Sequence, residues 1–287
     1  MKKILVTGGS GFIGSYVVDN LLNKGYEVTI FDREKKGLGM VKTFMGDVTN
    51  QEAVLDAVGK SDGVIHLAGR LGTVETINDP IPSVMVNTIG SLNVFKAVKD
   101  FEIPAVYISV GNYWMNNSYS ITKYSAEKFA FMYNQAHQTK IAVVRGLNAY
   151  GPRQKSYPVK KIIPTFILQA LKKEPIKVYG DGEQVMDMIY VEDIAEVLVR
   201  ALTVDHNQYD RVFEAGTGRV TTVNEIATLI NNLTGNLAGI THVPMRSGEE
   251  SNSVVKGNTF TLLPLGKFYF SALEKGLLPT IKYYKDL

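Results

Sequence analysis

A tyrosine and a lysine at helical spacing are the side chains whose types and positions best suit acid–base chemistry. In Tyr119-Ser-Ile-Thr-Lys123 the phenol and the ammonium stand four residues apart, on one face of a helix. Because a free tyrosine has a pKa of about 10, a neighbouring lysine cation is needed to favour its phenolate at neutral pH. Such a phenolate can accept a hydroxyl proton while hydride leaves the same carbon. Such a pair alone is more often structural, so the catalytic interpretation requires that another part of the chain bind a hydride acceptor.

A glycine-rich turn near the N-terminus predicts where that acceptor binds. The run Thr7-Gly8-Gly9-Ser10-Gly11-Phe12-Ile13-Gly14 joins a strand predicted over 3–7 to a helix predicted over 12–23. Its glycines allow a tight turn and a close approach of the backbone to a pyrophosphate, whose charge the helix N-terminus favours. Ordinary turns also contain glycines, but Asp32 follows Gly14 by 18 residues, near the ribose-binding position of a dinucleotide fold.

The type of dinucleotide depends on the acid that ends the second strand. Asp32 favours NAD over NADP because its carboxylate would repel a 2′-phosphate, although Arg33 could accommodate one or could be a solvated surface arginine. Asp47-Val48 and Leu67-Ala68-Gly69 follow later strand ends, where an open α/β sheet places its ligand crevice. Asp47 has a second interpretation as the cap of a following helix.

Alternating strands and helices position these residues. Strands are predicted at 3–7, 26–31, 43–46, 63–67, 104–109 and 140–145, and helices at 12–23, 50–58, 81–99 and 119–137. This order implies an α/β fold, a Rossmann doubly wound parallel sheet with both faces covered.

The regular alternation ends after Gly151-Pro152. Helices are predicted at 160–172, 190–203, 222–234 and 270–286, and short strands at 176–179, 211–214 and 240–243. We expect an NAD-binding domain of residues 1–155 and a smaller C-terminal α/β substrate-binding lobe, mainly 156–287, with segments that could return to the first domain.

Composition excludes several classes of function. The net charge of +3 is spread along 287 residues without a polybasic tract, which argues against nucleic-acid and membrane partners. The absence of cysteine excludes disulfides, thiolate metal sites and a cysteine nucleophile, and the four histidines lack metal-ligand spacing. No signal peptide or spanning segment is recognisable, so a soluble cytoplasmic protein without a bound metal is expected.

The motifs, taken in order, resemble the extended short-chain dehydrogenase/reductase family. The similarity is to its NAD-dependent nucleotide-sugar epimerase/dehydratase branch, specifically UDP-glucose 4-epimerase-like members, and it covers nearly the whole chain. The matching pieces are Thr7 to Gly14, Asp32, Gly46-Asp47-Val48, His66-Leu67-Ala68-Gly69, Asn87, Tyr119/Lys123, 145–152, 178–182, 189–193, 246–249 and 274–280.

The resemblance implies NAD as cofactor, a nucleotide-diphosphate sugar, most simply a UDP-sugar, as substrate, and a homodimer formed through the helices at 81–99 and 119–137. Asn148 and Arg246 are implied diphosphate contacts, with Val178 also at the substrate; alternatively, Asn148 shapes the following turn and Arg246 is a surface cation. The implied cofactor site comprises Gly8, Gly11, Phe12, Ile13, Gly14, Asp32, Arg33, Asp47, Val48, Leu67, Ala68, Gly69, Asn87, Tyr119 and Lys123.

Two segments depart from the family pattern. The family places a catalytic serine or threonine after the fifth strand, at a position that aligns here with Val110 or Gly111. Ser109 is the candidate catalytic hydroxyl, and Asn112 or Ser118 could replace it or only shape the loop. Where many relatives carry arginine, this chain has Met186, which weakens the analogy at the diphosphate or simply packs in the core.

The segment Gly111-Asn112 also lacks the acidic pair of related dehydratases. The sequence therefore predicts an NAD-dependent nucleotide-sugar epimerase, a 4-epimerase acting through a transient keto sugar, with Tyr119, Lys123 and Ser109 as catalytic residues. The alternatives are a nucleotide-sugar dehydrogenase, ketoreductase or dehydratase, and a catalytically silent NAD-binding regulator.

Overall fold

A parallel sheet dominates the computed structural model, which describes residues 1–34, 41–246 and 252–287. In the described ranges, seven strands form this sheet in the order β11-β6-β5-β4-β1-β2-β3, all parallel. Its strands are β1 Lys3–Thr7, β2 Glu27–Asp32, β3 Lys42–Met45, β4 Gly63–His66, β5 Ala105–Val110, β6 Ile141–Gly146 and β11 Val212–Ala215. The Rossmann-like α/β fold expected from the sequence is confirmed.

Helices cover both faces of this sheet. They are α1 Phe12–Asn23, α2 Gln51–Val58, α3 Ile81–Ser83, α4 Gly90–Asp100, α5 Ser118–His137, α6 Ile162–Leu171, α7 Val191–Thr203, α8 Val223–Thr234 and α9 Leu273–Lys285, with a π-helical segment, Val84–Ile89, joining α3 to α4. Side-chain alternation along β1 explains the two layers: Val6 packs in one core cluster with residues of α1 and α7, and Leu5 in another with residues of α2, α4 and α5.

The segment from α7 to β11 belongs to the seven-stranded sheet and the helices that cover it. β11 pairs with β6 at the sheet edge, and α7 packs beside α1. Residues 191–215 therefore belong spatially with the N-terminal half of the chain, although they follow the predicted boundary near residue 155. In the described part of the chain α7 is joined to α1 by polar contacts too, since Glu196 accepts hydrogen bonds from Asn20 and Lys24.

Short strands build the rest of the C-terminal portion, and of these the sequence predicts only the ones at 176–179 and 240–243. β7 Asn148–Tyr150 pairs with β10 Met188–Tyr190, and β8 Ile176–Tyr179 pairs with β13 Ile240–Val243. β9 Val185–Met186 lies between β12 Thr221–Thr222 and β14 Val254–Val255, and a 3₁₀ helix, Thr259–Leu265, follows. Strands of two or three residues are too short to show a periodic pattern.

The buried carboxylate of Asp187 holds these short strands together. It accepts hydrogen bonds from the Thr217 amide at 2.9 Å and hydroxyl at 2.7 Å, the Gly218 amide at 2.8 Å and the Gly257 amide at 3.1 Å. Because several donors compensate the buried charge, the loops after β11 and β14 are attached to one point between β9 and β10.

Asparagine side chains cap the N-termini of two helices near the predicted site. Asn50 accepts a hydrogen bond from the Ala53 amide and caps α2, whereas Asp47 accepts hydrogen bonds from Thr49. The interpretation of Asp47 as the cap is therefore wrong, because its carboxylate closes the turn before the helix. Asn117 caps α5 in the same way through the Ser120 amide.

None of the helices in the described ranges has the length and apolar character needed to cross a membrane.

A buried ion pair joins α5 to the sheet. Arg145 on β6 donates to the fully buried Glu127 carboxylate through Nε at 3.0 Å and Nη2 at 2.6 Å. The guanidinium carbon also lies 3.8 Å from the centre of the Tyr113 ring, so the same arginine contacts the loop after β5.

Replacing Arg145 with methionine should lower the free energy of unfolding by about 3–5 kcal/mol, because the Glu127 carboxylate would stay buried without its cation. Chemical denaturation measures this difference. The matched control is Arg211→Met, which removes the partner of exposed Asp210 and should have little effect. Similar small losses for both variants would contradict the assigned importance of the buried pair.

Candidate active site

The turn between β1 and α1 has room only for glycine at its critical positions. Gly8 has a φ of +72°, and a Cβ there would lie 2.7 Å from the Ala68 amide nitrogen at the end of β4. A Cβ at Gly14 would clash with the carbonyl oxygen of Gly8. The bare backbone at the start of α1 thus forms a cradle for a pyrophosphate, and the residues present fit a dinucleotide.

Asp32 is tied to this turn. Its carboxylate accepts a hydrogen bond from the Ser10 amide at 3.0 Å, which places the acid at the end of β2 beside the glycine cradle. Arg33 is exposed, with its guanidinium 3.7 Å from the Asp47 carboxylate. The acid lies where a ribose hydroxyl of an adenosine would be recognised.

A chain of buried hydrogen bonds connects the turn to the next strand. The Thr7 hydroxyl accepts a hydrogen bond from the Ala68 amide and donates one to His66 Nδ1 at 2.6 Å. On the other side of the imidazole, His66 Nε2 lies 3.0 Å from Ser91 Oγ. The Ser91 hydroxyl in turn donates to the Asn87 carbonyl oxygen. Burial, followed by the nearby Lys123 ammonium, lowers the pKa of His66 to about 3, so the imidazole is neutral. His66 therefore has a positioning role between β1, β4 and α4.

Asn87 holds the loop that follows β4. Its Oδ1 accepts from the Arg70 amide at 2.7 Å, and its Nδ2 donates to the Arg70 carbonyl at 3.1 Å and to Thr122 Oγ1 at 3.0 Å. The residue lies in the π-helical segment, a type of structure frequent at functional sites. Asn87 thus fixes Gly69 and Arg70 against α5, next to the predicted catalytic pair.

Tyr119 and Lys123 both lie on α5 as predicted. The Lys123 ammonium is buried 4.3 Å from the centre of the Tyr107 ring, and no hydrogen bond joins it to another described residue. Burial lowers the pKa of Lys123 to about 7 and raises the pKa of Tyr119 to about 12. In the protein alone, desolvation therefore outweighs the lowering of the tyrosine pKa that the sequence predicted, because burial penalises the charged forms of both groups.

A cavity of about 380 Å³ opens at Tyr119. Val110, Gly111 and Asn112 line it, whereas Ser109 does not; the Ser109 hydroxyl is buried without a hydrogen-bond partner. Of the two alternatives, Ser118 donates to the Thr76 carbonyl at 3.0 Å, and Asn112 lines the cavity. The structure therefore brings Asn112, and not Ser109, into the cavity with Tyr119.

The far part of the cavity contains the predicted diphosphate contacts. Asn148 lines it and donates to the Asp187 carbonyl, and Arg246 lines it with the guanidinium carbon 4.7 Å from the Tyr179 ring centre. Val178 is fully buried in the core and does not line the cavity, because strand alternation directs Lys177 and Tyr179 there. Met186 lines the cavity and also packs against the core. Residues 247–249 of the predicted 246–249 motif lie outside the described ranges.

Sequence reasoning missed several residues lining this cavity. They are Leu71, Thr73, Val74 and Glu75 after β4, Met115 before α5, and Lys160, Lys161, Lys177 and Tyr179 in the C-terminal portion. Alternation around Val178 could have identified Lys177 and Tyr179, but the other positions carry no local signal.

Comparison with known proteins identifies the family to which this fold belongs. The NAD dependent epimerase/dehydratase family pattern matches residues 4–216. UDP-N-acetyl-alpha-D-glucosaminuronate decarboxylase of Bacillus cytotoxicus is 27% identical, with 100% of this chain and 98% of the relative covered.

Two solved structures extend the comparison. UDP-glucose 4-epimerase from Thermotoga maritima with UDP-glucose is 29% identical with a TM-score of 0.91, and 99% of each chain is covered. UDP-glucose 4-epimerase of Thermus thermophilus in complex with NAD is 26% identical with a TM-score of 0.89 and the same coverage. The chain therefore belongs to the NAD-dependent epimerase/dehydratase family of extended short-chain dehydrogenases/reductases, and NAD is its cofactor.

Proposed function

We propose that the protein is a nucleotide-sugar 4-epimerase that acts on a UDP-sugar through a transient keto sugar. The observation that carries the proposal is the wall of the cavity at Tyr119, where Val110, Gly111 and Asn112 provide no carboxylate. Elimination of water needs a group that removes a carbon-bound proton, and none of these three residues supplies one. The carboxylate that does line the cavity, Glu75, comes from the turn after β4 and not from the segment after β5 where the related dehydratases carry their acidic pair. The similarity to UDP-glucose 4-epimerases supports the same reaction.

The residues of the site have distinct tasks in this reaction. Tyr119 accepts the proton of the sugar 4-hydroxyl as the C4–H bond breaks, and returns a proton when the opposite face of the keto sugar is reduced. Bound NAD supplies the hydride acceptor and donor. Lys123 stabilises the phenolate when the lysine amine is protonated. Asn112, which lines the cavity beside Gly111, holds the sugar in place of the hydroxyl that Gly111 lacks.

Decarboxylation is the second candidate, favoured by the similarity over the full chain to a uronate decarboxylase. Incubation with UDP-glucose and UDP-glucuronate distinguishes the candidates by product. Formation of the 4-epimer supports the proposal, whereas carbon dioxide release, a 4-keto product or net NADH would contradict it. Binding of NAD without any product would favour a silent regulator.

Tyr119→Phe should lower kcat by about 10²–10⁴-fold, because the variant cannot transfer the hydroxyl proton. Tyr269→Phe removes an exposed hydroxyl elsewhere and serves as the control. Epimer formation measures activity, and NAD titration shows whether the cofactor still binds. Full activity of Tyr119→Phe would exclude this tyrosine as the acid–base group.

The lowered pKa of Lys123 predicts a dependence of stability on pH. Below pH 7 the folded protein carries a buried ammonium, whereas a free lysine keeps its proton up to a pKa of about 10.4. Between these values the unfolded chain binds more protons, so this residue makes the NAD-free protein more stable as pH rises.

Lys123→Met should therefore be more stable than the wild type at pH 6, and the difference should shrink as the pH approaches 10. Thermal or chemical unfolding of the NAD-free proteins over this range tests the expectation. Lys275→Met, which removes an exposed lysine from α9, should show a constant difference from the wild type. A constant difference for Lys123→Met as well would contradict the assigned shift.

We also propose a homodimer formed through the neighbouring helices α3 to α5. Their outer surface is apolar and exposed at Ile81, Val84, Met85, Ile89, Ile121 and Met132. An apolar surface of this kind on adjacent helices is typical of a protein interface.

Met85→Glu should convert the dimer into a monomer, since the interface would bury an unpaired charge. Light scattering after size exclusion gives the mass. Leu237→Glu alters an exposed leucine outside these helices and should leave the dimer intact. A monomeric wild type, or a dimer that persists in Met85→Glu, would refute this interface.

A further inference from the structure

The cavity has two parts of opposite electrostatic character. Its basic lining residues come from the C-terminal portion of the chain: Lys160, Lys161, Lys177 and Arg246. Among the described lining residues that precede residue 150, the only charged side chain is the carboxylate of Glu75. A diphosphate fits the basic part, and the part at Tyr119 is left with a negative charge.

Hydrogen bonds fix the position of Glu75 near the catalytic tyrosine. Ser118, which precedes Tyr119, donates to the Thr76 carbonyl at 3.0 Å, so the turn carrying Glu75 is attached to the start of α5. Within this turn, Thr76 Oγ1 donates to the Gly72 carbonyl at 2.9 Å, and the Thr73 amide donates to Glu75 Oε2 at 3.1 Å. Glu75 is exposed to solvent, and its carboxylate lines the cavity from a turn that these hydrogen bonds fix.

The other charged groups near this turn do not neutralise Glu75 inside the cavity. Arg70 lies on the same loop, but it is exposed and is not a lining residue. Lys123 is buried beneath the Tyr107 ring and is not a lining residue either.

We infer that the sugar of the substrate is uncharged, and that Glu75 selects it against a uronic acid. This inference rests on the proposed binding of a nucleotide sugar with its sugar at Tyr119. A carboxylate can accept hydrogen bonds from sugar hydroxyls, whereas a uronate would bring a second negative charge into a partly enclosed space. The selectivity would separate this protein from the uronate decarboxylase to which its sequence is related.

Isothermal titration of the NAD-loaded protein with UDP, UDP-glucose and UDP-glucuronate tests the inference. The wild type should bind UDP-glucose at least about tenfold more tightly than UDP-glucuronate. Glu75→Gln should reduce this ratio, chiefly by improving the binding of UDP-glucuronate, and should leave the affinity for UDP unchanged. Glu174→Gln, which neutralises an exposed glutamate elsewhere, should keep the wild-type ratio.

Equal or tighter binding of UDP-glucuronate by the wild type would overturn the inference, as would an unchanged ratio in Glu75→Gln. Turnover is measured separately. Selective binding of UDP-glucose without formation of its 4-epimer would contradict the proposed reaction and leave the selectivity intact. Epimerisation of UDP-glucuronate in preference to UDP-glucose would contradict the selectivity and support the proposed reaction. Failure of UDP and both sugars to bind would overturn the inference together with the proposed substrate class.

Discussion

The turn between β1 and α1 approaches the end of β4 so closely that no side chain fits between them at Gly8. This approach brings the Ala68 amide within reach of Thr7, which in turn contacts His66. From His66 the hydrogen bonds continue through Ser91 to Asn87, which holds the loop after β4 against α5. The glycine cradle and α5, which carries Tyr119 and Lys123, are therefore positioned by one continuous buried network.

The C-terminal portion is held together by hydrogen bonds to a buried carboxylate. Its short strands have little stability of their own, because two or three residues cannot form an extended hydrogen-bonded sheet. The Asp187 carboxylate accepts hydrogen bonds from amides in the loops after β11 and β14. The backbone carbonyl of Asp187 accepts a hydrogen bond from the Asn148 side chain. A single buried acid thus connects the parts of the substrate cavity that come from distant positions in the chain.

Burial shifts the pKa values of the two predicted catalytic groups in opposite directions. It favours the neutral phenol of Tyr119 and the neutral amine of Lys123, so the protein alone does not hold the ion pair that the spacing suggested. The proposed selection by Glu75 has a different basis, since this exposed carboxylate acts through its charge from a turn attached to the start of α5.

Local patterns in the sequence determined the Rossmann sheet, the glycine cradle with Asp32, and the placement of Tyr119 and Lys123 on one helix. Each is encoded within a few residues by hydrophobic periodicity, by glycine or by helical spacing. The tertiary structure decided that Ser109 faces away from the cavity while Asn112 lines it, and that Val178 is buried between two lining residues. It also decided the attachment of Glu75 to the start of α5 and the return of β11 to the central sheet. These features arise from contacts between segments far apart in the chain, and such contacts leave no periodic signal in either segment.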